Sequence, residues 1–160
     1  MSTYTVRVAY WKDDGLALRT IRETVFIREQ RVPVELEWDE FDPNCLHLLA
    51  IDLAGNPIGT ARLLPGGVIG RMAVLKEWRH RDVGSTLLLR LLEEAWQRKI
   101  QHVTLNAQLP AKGFYGKFGF RIAGKEFMDA GIPHVRMILS EGIDRPGLIF
   151  EGGSAFESPP

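Results

Sequence analysis

Val68-Ile69-Gly70-Arg71-Met72-Ala73-Val74 leads through Trp78-Arg79-His80-Arg81-Asp82-Val83-Gly84-Ser85 into Leu87-Leu88-Leu89-Arg90-Leu91-Leu92, and this passage decides the fold. Its first part is an apolar, β-branched run that predicts a strand from Val68 to Leu75. From Val83 to about Lys99, Leu88, Leu91, Leu92, Ala95 and Trp96 recur at i, i+3, i+4, i+7 and i+8, the spacing of one helix face. Glu93, Glu94, Gln97 and Arg98 fall on the other faces. A strand that turns through basic residues into a helix start makes an anion site. The first N–H groups of a helix have no intrahelical partner, and the macrodipole places partial positive charge on them. Gly84 lets the backbone approach a ligand closely. Ser85 offers a cap or a hydroxyl, and Arg79 and Arg81 add full charge. The ligand chemistry that suits this is a phosphate or pyrophosphate. A capped helix with two solvated arginines would use the same residues. Neither a Gly-x-x-x-x-Gly-Lys-Ser/Thr loop nor a Gly-x-Gly-x-x-Gly after the first strand is present.

Upstream, Leu46 to Leu53 and Ile58 to Leu64 predict two more strands, with turns at Ala54-Gly55-Asn56-Pro57 and Pro65-Gly66-Gly67. With the strand at Val68 they form an antiparallel meander. Further up, Thr5 to Tyr10 alternates as a first strand. Asp13-Asp14-Gly15 offers a helix start, and Leu18, Ile21 and Val25 carry an amphipathic helix to about Glu29. Val32-Pro33 ends it. Downstream follow a strand over His102 to Ala107, a short helix over Ala111 to Lys117, and closing strands at Arg121 to Gly124 and His134 to Leu139. The order β-α-β-β-β-α-β-α-β-β describes a mixed α/β fold with one helical crossover. Residues 1–140 read as one domain. The Gly-, Ser- and Pro-rich residues 141–160 read as an extension, partly disordered.

The 160 residues are 45% hydrophobic and 25% charged, which excludes disorder as the main state. Twenty basic and twenty acidic residues balance, so the chain has no general pull toward nucleic acid. The lone Cys45 forms no internal disulfide, and the four histidines show no ligand spacing, so no metal is expected. No run of about 18 apolar residues is present to enter a membrane, and no basic–apolar leader opens the sequence. A cytoplasmic address is the expectation.

Met72-Ala73-Val74, then Arg79-His80-Arg81-Asp82-Val83-Gly84-Ser85 and Leu87-Leu88, resembles the coenzyme A-binding motif of the GNAT superfamily of acyl-CoA-dependent N-acyltransferases, Arg/Gln-x-x-Gly-x-Gly/Ala. Asp82 stands where that motif has its first glycine. An acid there repels a pyrophosphate unless its side chain points away or caps the helix. Phe114-Tyr115-Gly116-Lys117-Phe118-Gly119-Phe120 resembles the superfamily's Φ-Tyr-x-x-Φ-Gly-Phe segment. Val25-Phe26-Ile27-Arg28-Glu29-Gln30-Arg31-Val32-Pro33 and Gly131-Ile132-Pro133-His134-Val135-Arg136-Met137 resemble segments of its ElaA-like branch. The likeness covers roughly residues 5–140.

The resemblance implies a mostly antiparallel central sheet of six to seven strands flanked by about four helices. It implies transfer of an acetyl group from acetyl-CoA, as cosubstrate, to a primary amine, and a homodimer as an expectation. The coenzyme would lie along Met72, Ala73, Val74, Arg79, His80, Arg81, Asp82, Val83, Gly84 and Ser85, with Asn106 hydrogen-bonding its pantetheine amides. A bulge in the Met72–Val74 strand would free N–H groups for the oxyanion. Tyr115, protonated at neutral pH, would return a proton to the thiolate. Glu29, Glu35, Glu37, His47 and His134 are the candidate bases, with His134 placed in the catalytic set. Glu29, Gln30, Glu35, His47 and Gln108 are expected on the acceptor side. The acids of 35–42 either draw a cationic amine to the cleft or form a solvated loop. The alternative on the same fold is a non-catalytic acyl-CoA-binding module.

Overall fold

The structure is a computed structural model that describes residues 3–140; the extension expected over 141–160 lies outside them. Eight strands form one mixed sheet. β1 (Tyr4–Ala9), β2 (Leu46–Asp52), β3 (Pro57–Leu63) and β4 (Val68–Val74) pair antiparallel in that order. β5 (His102–Gln108) runs parallel to β4, and β8 (Ile132–Ser140) is antiparallel to β5. β6 (Arg121–Ile122) and β7 (Phe127–Asp129) both pair with β8. The sequence reading of the meander and the crossover holds. The strand it did not resolve is β7, a three-residue exposed piece with no apolar alternation to betray it.

Helices cover both faces. α1 (Trp11–Arg22) lies on one face, where Leu18, Ile21, Val25 and Phe26 pack against Ala9, Leu49 and Ala73. α3 (Val83–Gln97) and α4 (Lys112–Gly116) lie on the other, over Leu48, Ile58, Met72, Val74 and Leu105. Leu87, Leu88 and Leu91 of α3 are fully buried, each worth roughly 1.5–3 kcal/mol of apolar burial. α2 (Val34–Glu37) is a single turn after Pro33. No helix among the described residues is long and apolar enough to cross a membrane.

The first helix departs from expectation at both ends. It begins at Trp11, before the Asp13-Asp14-Gly15 start signal. Asp14 acts from inside the helix: its carboxylate accepts the Tyr10 N–H at 2.8 Å and pairs with Arg7 at 2.9 Å. After Arg22 the helix widens to π geometry over Glu23–Glu29, and Gln30 N–H bonds the Val25 carbonyl five residues back.

Two irregularities position the site. Thr60 faces Ala73 while Arg62 faces Gly70, so Ala61 alone opposes Arg71 and Met72. This is a β-bulge, and Arg71 sits in it at φ +48°. β4 and β5 pair only at Val68–Thr104 and Ile69–Leu105. Beyond those pairs the two strands are no longer hydrogen-bonded, which leaves a slot between them.

Candidate active site

One wall of the slot is the free edge of β4. Leu75 N–H bonds the Ile58 carbonyl on β3, so ladder alternation turns the Val74 peptide groups to the other edge. There the Val74 carbonyl accepts Arg79 Nε at 3.0 Å. Met72 lines the cleft, and Ala73 is fully buried against α1.

At the end of β4 the chain turns into α3. Thr86 N–H makes the first helical bond, to the Asp82 carbonyl, so the N–H groups of Val83, Gly84 and Ser85 have no intrahelical acceptor. Asp82 occupies the N-cap position but adopts φ +66°, and its side chain makes no capping bond. Of the two alternatives open for Asp82, capping fails for a backbone reason: side-chain capping uses an extended N-cap residue, and this one is left-handed. The same φ explains why glycine is usual there, and Asp is among the few residues that tolerate it. The Asp82 carbonyl also accepts Thr86 Oγ1 at 2.9 Å and Tyr4 OH at 3.2 Å, which ties β1 to the turn. His80 is exposed and left-handed at φ +62°. Arg81 is exposed, with its guanidinium 4.0 Å above the Trp78 ring. Arg79 is held between elements: besides Val74, it forms a two-point pair with Glu29 at 2.6 and 2.8 Å.

Tyr115 of α4 closes the bottom of the slot. Its ring is buried among Phe114 and Phe120, and its OH donates to Met72 Sδ at 3.6 Å, a weak thioether acceptor. Burial pushes its pKa well up, so the phenol keeps its proton throughout the neutral range.

A cleft of about 260 Å³ opens beside Tyr115 and Met72. Gln30, Glu37, Asn106, Gln108 and His134 all line it. Gln108 Nε2 donates to Gln30 Oε1 at 2.9 Å, bridging β5 to the end of the π segment. His134 Nδ1 lies 2.7 Å from the Ile132 carbonyl. A carbonyl only accepts, so Nδ1 carries the proton and Nε2 of the neutral ring is the free base. The ring stacks on Phe127 at 5.8 Å between centroids.

Glu29, Glu35 and His47, expected on the acceptor side, are not on this wall. Glu29 is turned to Arg79, whose hydrogen bonds hold its pKa below the usual range despite partial burial. Glu35 is exposed on α2. His47 is buried against Trp11, its Nε2 donates to the Asp42 carbonyl at 2.9 Å, and burial lowers its pKa. None of the three lines the cleft: Glu29 is held by Arg79, Glu35 is exposed and His47 is held by the Asp42 carbonyl.

The acidic run is not simply a solvated loop: Glu35 and Glu40 are exposed, but the other three acids are not. Glu37, Asp39 and Asp42 fold inward onto three arginines from α1, β3 and β4. Arg22 bonds Glu37 and Asp42, each at 2.8 Å. Arg62 bonds Asp42 and Asp39, also at 2.8 Å. Arg71 bonds Asp39 and Glu37 at 3.1 Å. Each carboxylate bridges two guanidinium groups, so the six side chains close a ring with no net charge. Trp38 and Trp11 cover Arg22 at 5.0 and 5.6 Å. Burial raises the Glu37 pKa in spite of its arginine neighbours. Arg62 and Arg71 line the cleft, and sequence reasoning missed both. The available signal was an arginine inside each of two otherwise apolar strands, opposite an acidic run in need of partners. Among the described residues, no group of three or more His, Cys, Asp or Glu is arranged to hold a metal.

Comparison with known proteins agrees with this geometry. The sequence profile of the acetyltransferase (GNAT) domain matches residues 22–141. The chain is 39% identical over 122 residues to the uncharacterised N-acetyltransferase YjcF of Bacillus subtilis, covering 74% of this chain and 86% of that one. It is 31% identical over 131 residues to ElaA of Escherichia coli, covering 76% and 84%. Among solved structures, an acyl-CoA N-acyltransferase from Pseudomonas aeruginosa superposes with a TM-score of 0.76 at 28% identity, covering 84% of this chain and 98% of that one. The E. coli ElaA crystal structure gives 0.75 at 27%, with coverage of 84% and 98%. With a β4 edge open to β5, an uncapped α3 N-terminus at its end and a matching profile over most of its length, the chain belongs to the GNAT acetyltransferase family.

Proposed function

We propose that this protein is an acetyl-CoA-dependent N-acetyltransferase that acts on a primary amine of a small molecule by direct attack. The observation that carries the reading is the slot itself. The peptide groups of β4 face an unpaired gap, and that gap ends at Tyr115 OH and Met72 Sδ. The donor set suits the coenzyme: N–H groups of Val83, Gly84 and Ser85 for its pyrophosphate, the β4 edge and Asn106 for its pantetheine amides. When bound, acetyl-CoA supplies an activated acyl carbon.

His134 Nε2 takes the proton from the incoming ammonium, directly or through water. The freed amine nitrogen attacks the thioester carbon, forming the C–N bond. Backbone N–H groups of Met72 and Val74 hold the developing oxyanion. As the C–S bond breaks, Tyr115 gives its proton to the thiolate. A proton from the acylated nitrogen restores Tyr115, so the products are the amide, the free thiol and the proton on His134.

The first experiment is a thermal shift with acetyl-CoA, CoA and ATP, followed by thiol release over an amine panel. A rise with both CoA species and none with ATP is expected, because a ligand of the native state raises its stability. No rise with either CoA species overturns the reading. Binding without thiol release for any amine would leave a non-catalytic acyl-CoA module instead.

A further inference from the structure

We infer that the acceptor is a zwitterionic α-amino acid, its carboxylate held by Arg71 Nη1 and its ammonium group facing Glu37 Oε1. This deepens the transferase reading of the same site and rests on it. The six-membered ring of charges is electrically neutral, yet it is incomplete on the cleft side. Arg71 uses Nε and Nη2 on Glu37 and Asp39, while Nη1 has no partner among the described residues. Glu37 Oε2 receives Arg22 and Arg71, while Oε1 accepts no hydrogen bond from the described residues. One open donor and one open acceptor on the same pair match a molecule with one anionic and one cationic end.

Arg62 supports this from the same wall. It is 5% exposed, and its Nε–H is buried with no acceptor among the described residues, so the wall has a second donor left unmet. Arg71 is reachable, at 25% side-chain exposure. It is also next in sequence to Met72, whose Sδ marks the transfer point at Tyr115. Arg71, Met72 and Tyr115 line the same cleft, so a carboxylate on Arg71 keeps the α-amino group in the cleft that Tyr115 borders. Phe26, Leu36 and Phe41 line the rest of the cleft and suit an apolar side chain.

The test compares phenylalanine and leucine with their carboxamides as acceptors for the full-length protein, read as thiol release. The carboxamides carry the less basic, more readily deprotonated amine, so a preference for the acids is recognition and not reactivity. A kcat/KM at least about tenfold higher for the acids is expected, the discrimination of one charge-assisted contact. Arg71→Gln, and Arg71→Lys as the variant that keeps the ring's charge, should reduce that preference to less than about threefold with CoA-dependent stabilisation unchanged. Equal or faster transfer to the carboxamides, or a preference that survives both variants, overturns the inference and leaves the transferase reading standing. If no amine gives thiol release, the transferase reading fails. The inference is then decided by titrating the CoA-loaded protein with N-acetylphenylalanine and its amide: tighter binding of the acid supports it, and equal or absent binding overturns it.

Discussion

Tyr115 shows how a residue's environment sets its chemistry. Its phenol is buried, donates only to the Met72 thioether, and has its pKa pushed up by desolvation. A raised pKa makes it a weaker acid, so the proposed transfer to a thiolate needs a proton returned from the acylated nitrogen in the same event. Tyr115→Phe should lower kcat by about 100-fold while the KM for acetyl-CoA stays within about threefold. Steady-state kinetics at fixed amine check this, and an unchanged kcat would remove Tyr115 from the reaction. Asp82 presents the opposite case, a residue out of keeping with its position. Its φ of +66° costs a non-glycine residue on the order of 1 kcal/mol, and its charge lies beside a helix N-terminus suited to anions. Asp82→Gly should tighten CoA binding at least about twofold without lowering the melting temperature. Calorimetric titration reads the first, and weaker binding would give Asp82 a positive role.

At the scale of elements, the slot depends on where β4 and β5 stop pairing. The turn before β4 sets that point. Gly67 has φ +92°, and a Cβ there would lie 2.7 Å from the His102 carbonyl oxygen and 2.9 Å from Ile100. Its own carbonyl accepts the Thr104 N–H at 3.0 Å, joining the turn to β5. Gly67→Ala should destabilise the fold by about 2 kcal/mol in urea denaturation, while Gly66→Ala, with open space around it, should change stability by less than about 0.5 kcal/mol. The π segment is the other element with a positional role. By widening the end of the first helix it brings Phe26 and Gln30 to the cleft and Glu29 to Arg79. The sequence motif Val25 to Pro33 was visible, but its geometry was not, since π and α turns share the same apolar face over so short a run.

Across the whole molecule, the ring of three arginines and three carboxylates ties α1, α2, β3 and β4 around the cleft. Burial raises the Asp39 carboxyl, but hydrogen bonds and charge from Arg62, then Arg71, outweigh it and bring it to about 2. Asp42 is lowered in the same way by Arg22 and Arg62. A carboxyl with a depressed folded-state pKa adds stability that is complete above its unfolded value, near ~3.9, and is lost as pH falls through the folded value. Glu37 has the opposite sign, because its raised pKa lets the native state take up a proton first. The melting temperature should therefore fall mainly between about pH 4 and about pH 2. Asp39→Asn should start lower at pH 7 and fall less over that window; an equally steep fall in both proteins would show that the ring does not govern acid stability. Removing one member leaves a buried partner unpaired, at a cost of roughly 3–5 kcal/mol, so the ring constrains which residues around the cleft can change singly.

Local pattern was enough for the succession of elements apart from β7, for the meander and for the long crossover helix, and two family blocks were visible around Asp82 and Tyr115. The elements are written in spacing between near neighbours, where periodicity and turn residues act directly, whereas the blocks were legible through resemblance to the family. Gln30, Asn106, Gln108 and His134 were also legible as cleft residues, because strand ends and matched segments placed them. Only the tertiary structure decided the fate of the charges. The arginines at 22, 62 and 71 lie up to 34 residues from the acids they pair with and up to 49 from one another, and no local rule pairs them. Burial makes their pairing obligatory, since a lone charge inside the fold would be far too costly. That pairing turned Glu37, Asp39 and Asp42 into part of a neutral wall and put Arg62 and Arg71 on the cleft.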